Sequence, residues 1–162
     1  MDIKEKGYRL NVGIIVANSD GKLLYCKRKN SKNWQFPQGG IDKNEDIFIA
    51  ALRELYEEVG IEGNKVKLIK ESDHWYKYDL PKKYKRNNFL WEDFRGQKQK
   101  WFLFKLIEKA EIDLNNENNP EFDEFNWVDY WKPLDEIVDF KKEIYEKVLT
   151  ELEPAYKLEF SK

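Results

Sequence analysis

The chain has 162 residues, 41% of them apolar and 37% charged, the profile of a globular domain that buries its own core rather than of a disordered segment. Lysine and arginine (29) nearly cancel aspartate and glutamate (31), leaving a net charge of -2, so global charge announces no nucleic-acid binder and any anion site must be a local patch. The lone cysteine, Cys26, excludes an internal disulfide and fits a reducing cytoplasm; the charged start does not read as a signal peptide, so none is expected, and no apolar run approaches the roughly 20 residues of a membrane span.

At this length one domain, residues 1–162, is expected. Leu10 to Ala17 is apolar and β-branched around Gly13 and predicts a buried strand. Asn18-Ser19-Asp20-Gly21 signals a turn, and Lys22 to Arg28 predicts the returning strand. Trp34-Gln35-Phe36 is a short apolar stretch stopped by Pro37, and Gln38-Gly39-Gly40 reads as a flexible loop. Asp46 to Val59 has helical periodicity, with Ile47, Ala50, Ala51, Leu55 and Val59 on the buried side, Asn44 as N-cap and Gly60 just past the end.

Val66 to Glu71 and His74 to Leu80 predict two more strands, Pro81 to Gly96 a polar, basic and aromatic loop, and Trp101 to Ile107 a strong strand. Asn115 to Pro120 reads as a loop, Phe125 to Val128 as a short strand, and Pro133 to Val138 as a brief helix. Phe140, Ile144, Val148 and Leu152 lie four apart and predict an amphipathic C-terminal helix. Strands and helices mix without βαβ regularity, which points to an α+β fold.

The chemistry concentrates between Gly39 and Ile61. Glu54, Glu57 and Glu58 stand at i, i+3 and i+4, so on a helix they share one face, where like charges repel. A cation between them relieves that repulsion. Carboxylate oxygens alone select a hard ion, Mg²⁺ or Mn²⁺, which keeps several waters and bridges phosphates. Arg53 is placed to hold one of these carboxylates by a charge-assisted bond, and Gly39 and Gly40 let the backbone approach a ligand closely. A solvated acidic helix face is the alternative reading of the triplet alone.

Gly39, Glu45 and Arg53-Glu54-Leu55-Tyr56-Glu57-Glu58-Val59-Gly60-Ile61 resemble the Nudix box at every defined position: Gly, five residues, Glu, seven residues, then R-E-U-x-E-E-x-G-U with U apolar. The resemblance implies an α/β/α sandwich, a mixed sheet between helices with the box as a loop–helix–loop. It implies a metal-dependent hydrolase of phosphoanhydride bonds whose metal residues fall on Glu54, Glu57 and Glu58, completed by Glu121 and the Gly39 backbone. Glu57 is the leading candidate for general base, with Glu54 and Glu58 as principal ligands and Arg53 beside them. An intact box argues against a non-catalytic binding module.

Beyond the box, Gly7-Tyr8-Arg9, Trp34 to Gly40, Gly96-Gln97-Lys98-Gln99-Lys100-Trp101-Phe102, Pro120-Glu121-Phe122-Asp123 and Val138-Asp139-Phe140-Lys141 are similar to the bacterial RNA pyrophosphohydrolase branch of that family. That branch trims the 5′ end of triphosphorylated or diphosphorylated RNA and so starts mRNA decay. Dinucleoside polyphosphate hydrolases share the Gly-Gln-Lys-Gln segment and are the alternative. The resemblance implies an RNA 5′ end or a nucleoside polyphosphate as partner, no DNA and no membrane, and leaves a stimulating protein partner open. Arg9, Arg28, Lys98 and Lys100 are candidates to neutralise polyphosphate. Val138, Phe140 and Lys141 are candidates for the RNA end, with Phe140 stacking on a base, although Phe140 at helical spacing also suits a core anchor. Lys82-Lys83-Tyr84-Lys85-Arg86 is a basic cluster with an aromatic inside it, a surface charge run or an RNA-backbone contact. His74 stands without a partner motif and reads as structural or surface; Cys26 reads as a buried strand residue. Leu10 replaces the relatives' usual proline, and Lys43-Asn44 their usual turn before Glu45; Asn tolerates the left-handed region, so the turn is expected to survive.

Overall fold

A computed structural model describes residues 4–5, 7–82, 94–135, 137 and 139–161. Its strands in chain order are β1 (Lys4–Glu5), β2 (Tyr8–Ala17), β3 (Leu23–Arg28), β4 (Trp34–Gln35), β5 (Gln38–Gly40), β6 (Val66–Glu71), β7 (Tyr76–Asp79), β8 (Gly96–Leu106) and β9 (Phe122–Val128); the helices are α1 (Ile47–Val59) and α2 (Asp139–Phe160). The long strands β2 and β8 run parallel in unbroken register from Tyr8↔Gly96 to Ala17↔Lys105. Every other pairing among the described residues is antiparallel: β1, β3 and β5 on β2, β4 and β9 on β3, and β6 and β7 on β8. The sheet is therefore mixed, built around one parallel pair.

Period-2 alternation sorts the side chains of these strands onto two faces. Leu10, Val12, Ile14 and Val16 of β2, Leu24 and Cys26 of β3, and Phe102 and Phe104 of β8 pack under α1 with Ala50, Ala51, Leu55 and Val59. Ile15, Leu23, Tyr25, Trp101 and Leu103 pack under α2 with Ile144, Tyr145, Val148 and Leu152. A helix on each face of a mixed sheet is the α/β/α arrangement expected. Gly13 has a packing reason: a Cβ there would lie 2.4 Å from the Trp101 indole, its register partner on β8.

Three local expectations are corrected. Gln38 to Gly40 is a strand, because Gly40, Gly39 and Gln38 pair with Asn11, Val12 and Gly13; that partner is distant in sequence, so glycine flexibility dominated the local reading. The N-cap of α1 is Asp46, whose carboxylate accepts from the Ile49 N–H at 3.1 Å; Asn44 instead adopts φ 63° in the preceding turn. The turn thus survives the Lys43-Asn44 replacement. Strand β9 begins at Phe122, three residues before the predicted start, since it follows β3 back to Arg28 through a bulge. Gly60 closes α1 at φ 74°, as its position predicts. The basic cluster 82–86 falls, from residue 83 on, outside the described residues, as does Val138.

Candidate active site

A cleft of about 580 Å³ opens where β2, β5, α1 and the start of α2 meet. Arg9, Arg28, Gly39, Glu54, Glu57, Glu58, Glu121, Phe140 and Lys141, all singled out in the sequence, line it. Arg53 lies just behind the wall.

Helix periodicity explains the acidic wall. Ala50, Glu54 and Glu58 follow one another at i, i+4, i+8 along the buried side of α1, so the two glutamates are 8% and 6% exposed, while Glu57 stands at the rim. Burial pushes the Glu54 carboxyl up to about 7, against the pull of Arg53. Burial and the nearby carboxylates of Glu54 and Glu121 raise Glu58 well above the ordinary range, while one oxygen of Glu58 accepts the Gln38 backbone N–H at 3.3 Å. Gly39 makes room for this arrangement: a Cβ on it would lie 2.0 Å from the carboxyl carbon of Glu54.

Arg53 ties the loop before the helix to the wall. It donates to both oxygens of Glu45, to the Gly40 carbonyl at 2.9 Å, to Glu54 at 2.9 Å and to Glu57 at 3.2 Å. Its hydrogen bonds hold the Glu45 carboxyl below the usual carboxylate range. Glu45 in turn accepts the Asp42 N–H at 2.9 Å, so the loop and the helix form one bonded unit.

The donor set suits a hard divalent cation: four glutamates named in advance, and Glu117 besides, border one cleft and supply only oxygen. Among the described residues, however, no three acidic, cysteine or histidine side chains converge as a ready ligand shell. Glu54 and Glu57 turn oxygens toward Arg53, and Glu121 faces Arg28 at 3.9 Å.

On the opposite side, Phe140 packs against Tyr78 with ring centroids 5.7 Å apart. Lys141 is 5% exposed, donates to Gln35 Oε1 at 3.1 Å, and has its ammonium drawn down to about 7 by burial and by Arg28, with Glu58 opposing. Arg9 reaches over Gly40, where a Cβ would meet its guanidinium at 2.3 Å.

Lys98 and Lys100 are the exceptions among the predicted phosphate ligands. They project from the other face of β8, with ammonium groups 5.5 and 5.7 Å from the Trp75 ring, and Lys100 lies 3.7 Å from Glu71. Alternation along β8 turns Gln97 and Gln99 to the cleft side instead, and both are buried. Asn11, Gln35, Gln38, Gln97 and Glu117 also line the cleft; Gln35, Gln38 and Gln97 stand in segments that carry the family resemblance, yet none of the five has a site role predicted from sequence, since uncharged amides and a loop glutamate carry no local signal. Cys26 is fully buried in β3, and exposed His74 hydrogen-bonds Glu151 at 3.0 Å away from the cleft, as their sequence contexts indicate.

A mixed sheet between two helices, with an acidic helix wall opposite a basic and aromatic one, suits a cation and an anionic ligand that carries a ring, and comparison with known proteins specifies the class. The NUDIX domain matches residues 7–148, and the chain belongs to that family. It is 44% identical over 146 residues to a protein of Haemophilus ducreyi named RNA pyrophosphohydrolase, covering 90% of this chain and 74% of that one. It is 45% identical over 154 residues to the RNA pyrophosphohydrolase of Methylococcus capsulatus, covering 94% and 80%. Among solved structures it resembles a C. elegans Ap4A hydrolase binary complex, with a TM-score of 0.62 at 17% identity, covering 89% of this chain and 98% of that one; that likeness concerns the fold. Among the described residues no helix is long and apolar enough to cross a membrane.

Proposed function

We propose that this chain is a metal-dependent RNA pyrophosphohydrolase that removes pyrophosphate or phosphate from the 5′ end of triphosphorylated or diphosphorylated RNA, leaving a 5′-monophosphate that exposes the RNA to decay in the cytoplasm. The observation that carries this reading is the pairing of two unlike walls: Glu54, Glu57 and Glu58 on one side, Arg28, Phe140 and Lys141 on the other, across a single cleft. The first suits a cation and a phosphate chain; the second suits a nucleotide continuing beyond it. The relatives at 44% and 45% identity support the same assignment.

Glu54 and Glu58, with Glu57, Glu121 and the Gly39 backbone, are the residues proposed to hold Mg²⁺ or Mn²⁺. Such an ion supplies Lewis acidity toward phosphoryl oxygens and lowers the pKa of water. Glu57, the most exposed of the helix trio at 40%, is the proposed general base toward the attacking water, free enough to exchange its proton with solvent. One guanidinium nitrogen of Arg53 bonds both Glu54 and Glu57, offsetting their mutual repulsion and orienting the two carboxylates. Arg9 and Arg28 are proposed to counter the negative charge of the phosphates.

A second reading, a dinucleoside polyphosphate hydrolase, is favoured by the partly buried Phe140 ring at the border of the same cleft, which offers a stacking surface to a second nucleoside as well as to an RNA base. Triphosphorylated RNA with an unpaired 5′ end and diadenosine polyphosphates, offered at equal concentration with Mg²⁺, separate the two. Release of pyrophosphate or phosphate from the RNA with far higher kcat/KM supports the RNA assignment; the reverse preference replaces it.

A further inference from the structure

Behind the cleft wall, four amide side chains meet around one nitrogen. Gln99 Nε2 lies 2.9 Å from Asn11 Oδ1, 3.0 Å from Gln38 Oε1 and 3.4 Å from Gln97 Oε1. An amide NH₂ carries two hydrogens, so three carbonyl oxygens share two donors. Their convergence fixes the orientation of each amide: with the oxygens drawn inward to Gln99, the NH₂ groups point outward.

The outward side is the cleft. Asn11, Gln38 and Gln97 line it, and Gln99 does not. Asn11, Gln97 and Gln99 are 2%, 4% and 1% exposed, so rotation of these amides is restricted by packing as well as by bonding. Gln38 presents its side chain to the buried Tyr78 hydroxyl, which has no well-formed hydrogen bond. Among the described residues the NH₂ groups of Asn11 and Gln97 make no hydrogen bond, and they are not among the sealed, unpartnered polar atoms of the core, so they are open to the cleft that both residues line. Neutral donors suit this place. An uncharged amide donates to a phosphoryl oxygen without being drawn into an ion pair with the acidic wall, as Arg53 is with Glu54 and Glu57.

We infer that Gln99 is a positioning residue for the reaction: it holds the Asn11 and Gln97 amides with their NH₂ groups directed into the cleft as a neutral donor pair for phosphoryl oxygens. Gln99 itself touches no substrate. The inference rests on the reading that the phosphate chain occupies this cleft.

The test follows the side-chain amide ¹⁵N–¹H resonances of Asn11 and Gln97 in the intact protein as pyrophosphate is added with Mg²⁺. Both pairs are expected to shift in the wild type. Gln99→Met fills the same volume without a donor and should sharply reduce those shifts, lowering kcat/KM on RNA on the order of tenfold or more. A purely structural glutamine would lower thermal stability and leave the pyrophosphate-induced shifts intact. Resonances that stay still in the wild type, or move equally in Gln99→Met, overturn the inference; if that variant does not fold, the wild-type titration decides alone. Wild-type protein that cleaves RNA with unmoved amides would defeat the inference and spare the proposed function. Shifted amides in a protein that leaves RNA uncut would do the opposite.

Discussion

Arg53 grips Glu45 with two parallel hydrogen bonds, Nε to Oε2 at 2.8 Å and Nη2 to Oε1 at 2.9 Å, across eight residues of chain. The fork matches the carboxylate plane, which a lysine cannot do. Through Gly40, Glu54 and Glu57 the same guanidinium reaches strand, loop and acidic wall at once.

Arg53→Ala therefore leaves several acidic groups without their counter-charge. With the arginine side chain 26% exposed, the expected loss is about 2–4 kcal/mol, below the full scale for a wholly buried pair. Urea unfolding measures it, and Arg53→Lys should fall between the variant and the wild type. A change under about 0.5 kcal/mol, the range of an ordinary surface substitution, would show that the fork does not organise the loop.

Divalent ions are expected to be essential, so exhaustive chelation and dialysis should abolish hydrolysis and Mg²⁺ or Mn²⁺ should restore it. Glu57→Gln should keep the fold yet reduce kcat by about 10²-fold or more, the usual scale for a general base. Near-normal turnover by this variant, at unchanged thermal stability, assigns the base elsewhere. Full activity after chelation removes the metal from the proposal.

The acidic wall was legible because its signal is local. A helix turns 3.6 residues at a time whatever it packs against, so the spacing of Glu54, Glu57 and Glu58 already implies a shared side. The role of Gly39 was half legible: its spacing stood out, but its near contact with the Glu54 carboxylate belongs to tertiary structure. Lys98 and Lys100 were misplaced for the complementary reason. Alternation shows that they share a face of β8, and only the pairing with β2 and β7 determines which face meets the cleft. Positive charge is a local signal and sheet orientation is not: the neutral Gln97 and Gln99, alternating with the lysines, take the cleft side, where Gln97 lines the wall. The three-residue strand β5 was unreadable because its existence depends on a partner strand some 25 residues earlier.

Lys141 gives a pH dependence of definite sign. Buried beside Arg28, its ammonium titrates near 7 in the folded protein, against 10.5 for an ordinary lysine. Between those values the unfolded chain binds more protons at this position, so its contribution to stability improves as pH rises through that window. Below about 7 both states are charged and the cost is constant. Lys141→Met removes the titration. The stability advantage of Lys141→Met over the wild type should shrink as pH is raised from 7 toward 10, with a slope of at most about 1.4 kcal/mol per pH unit. A stability difference independent of pH would mean that Lys141 keeps its proton on folding.

Phe140 separates RNA from smaller substrates. It borders the cleft at the start of α2, partly buried, with Tyr78 behind it and the Lys141 ammonium 5.9 Å from its ring centroid. A partly open ring over a phosphate site offers a stacking surface to a base that follows the 5′ nucleotide, and stacking contributes about 1–3 kcal/mol per base. Phe140→Ala should therefore lower kcat/KM on triphosphorylated RNA by roughly tenfold, and on a free nucleoside triphosphate much less, because the mononucleotide has no second base. A 5′ end closed in a duplex must unpair before it can stack, at a cost of a few kcal/mol. RNA with about two or more unpaired 5′ nucleotides should thus react far faster than a blunt hairpin, and Phe140→Ala should narrow that gap. The ring also packs against the cluster under α2, so thermal stability is measured in parallel. Equal losses on RNA and mononucleotide at preserved stability would make Phe140 a wall of the phosphate site. A drop in melting temperature that accounts for the lost activity would make it a core anchor of α2. Only a loss confined to RNA, in a protein that melts like the wild type, assigns the ring to the second base.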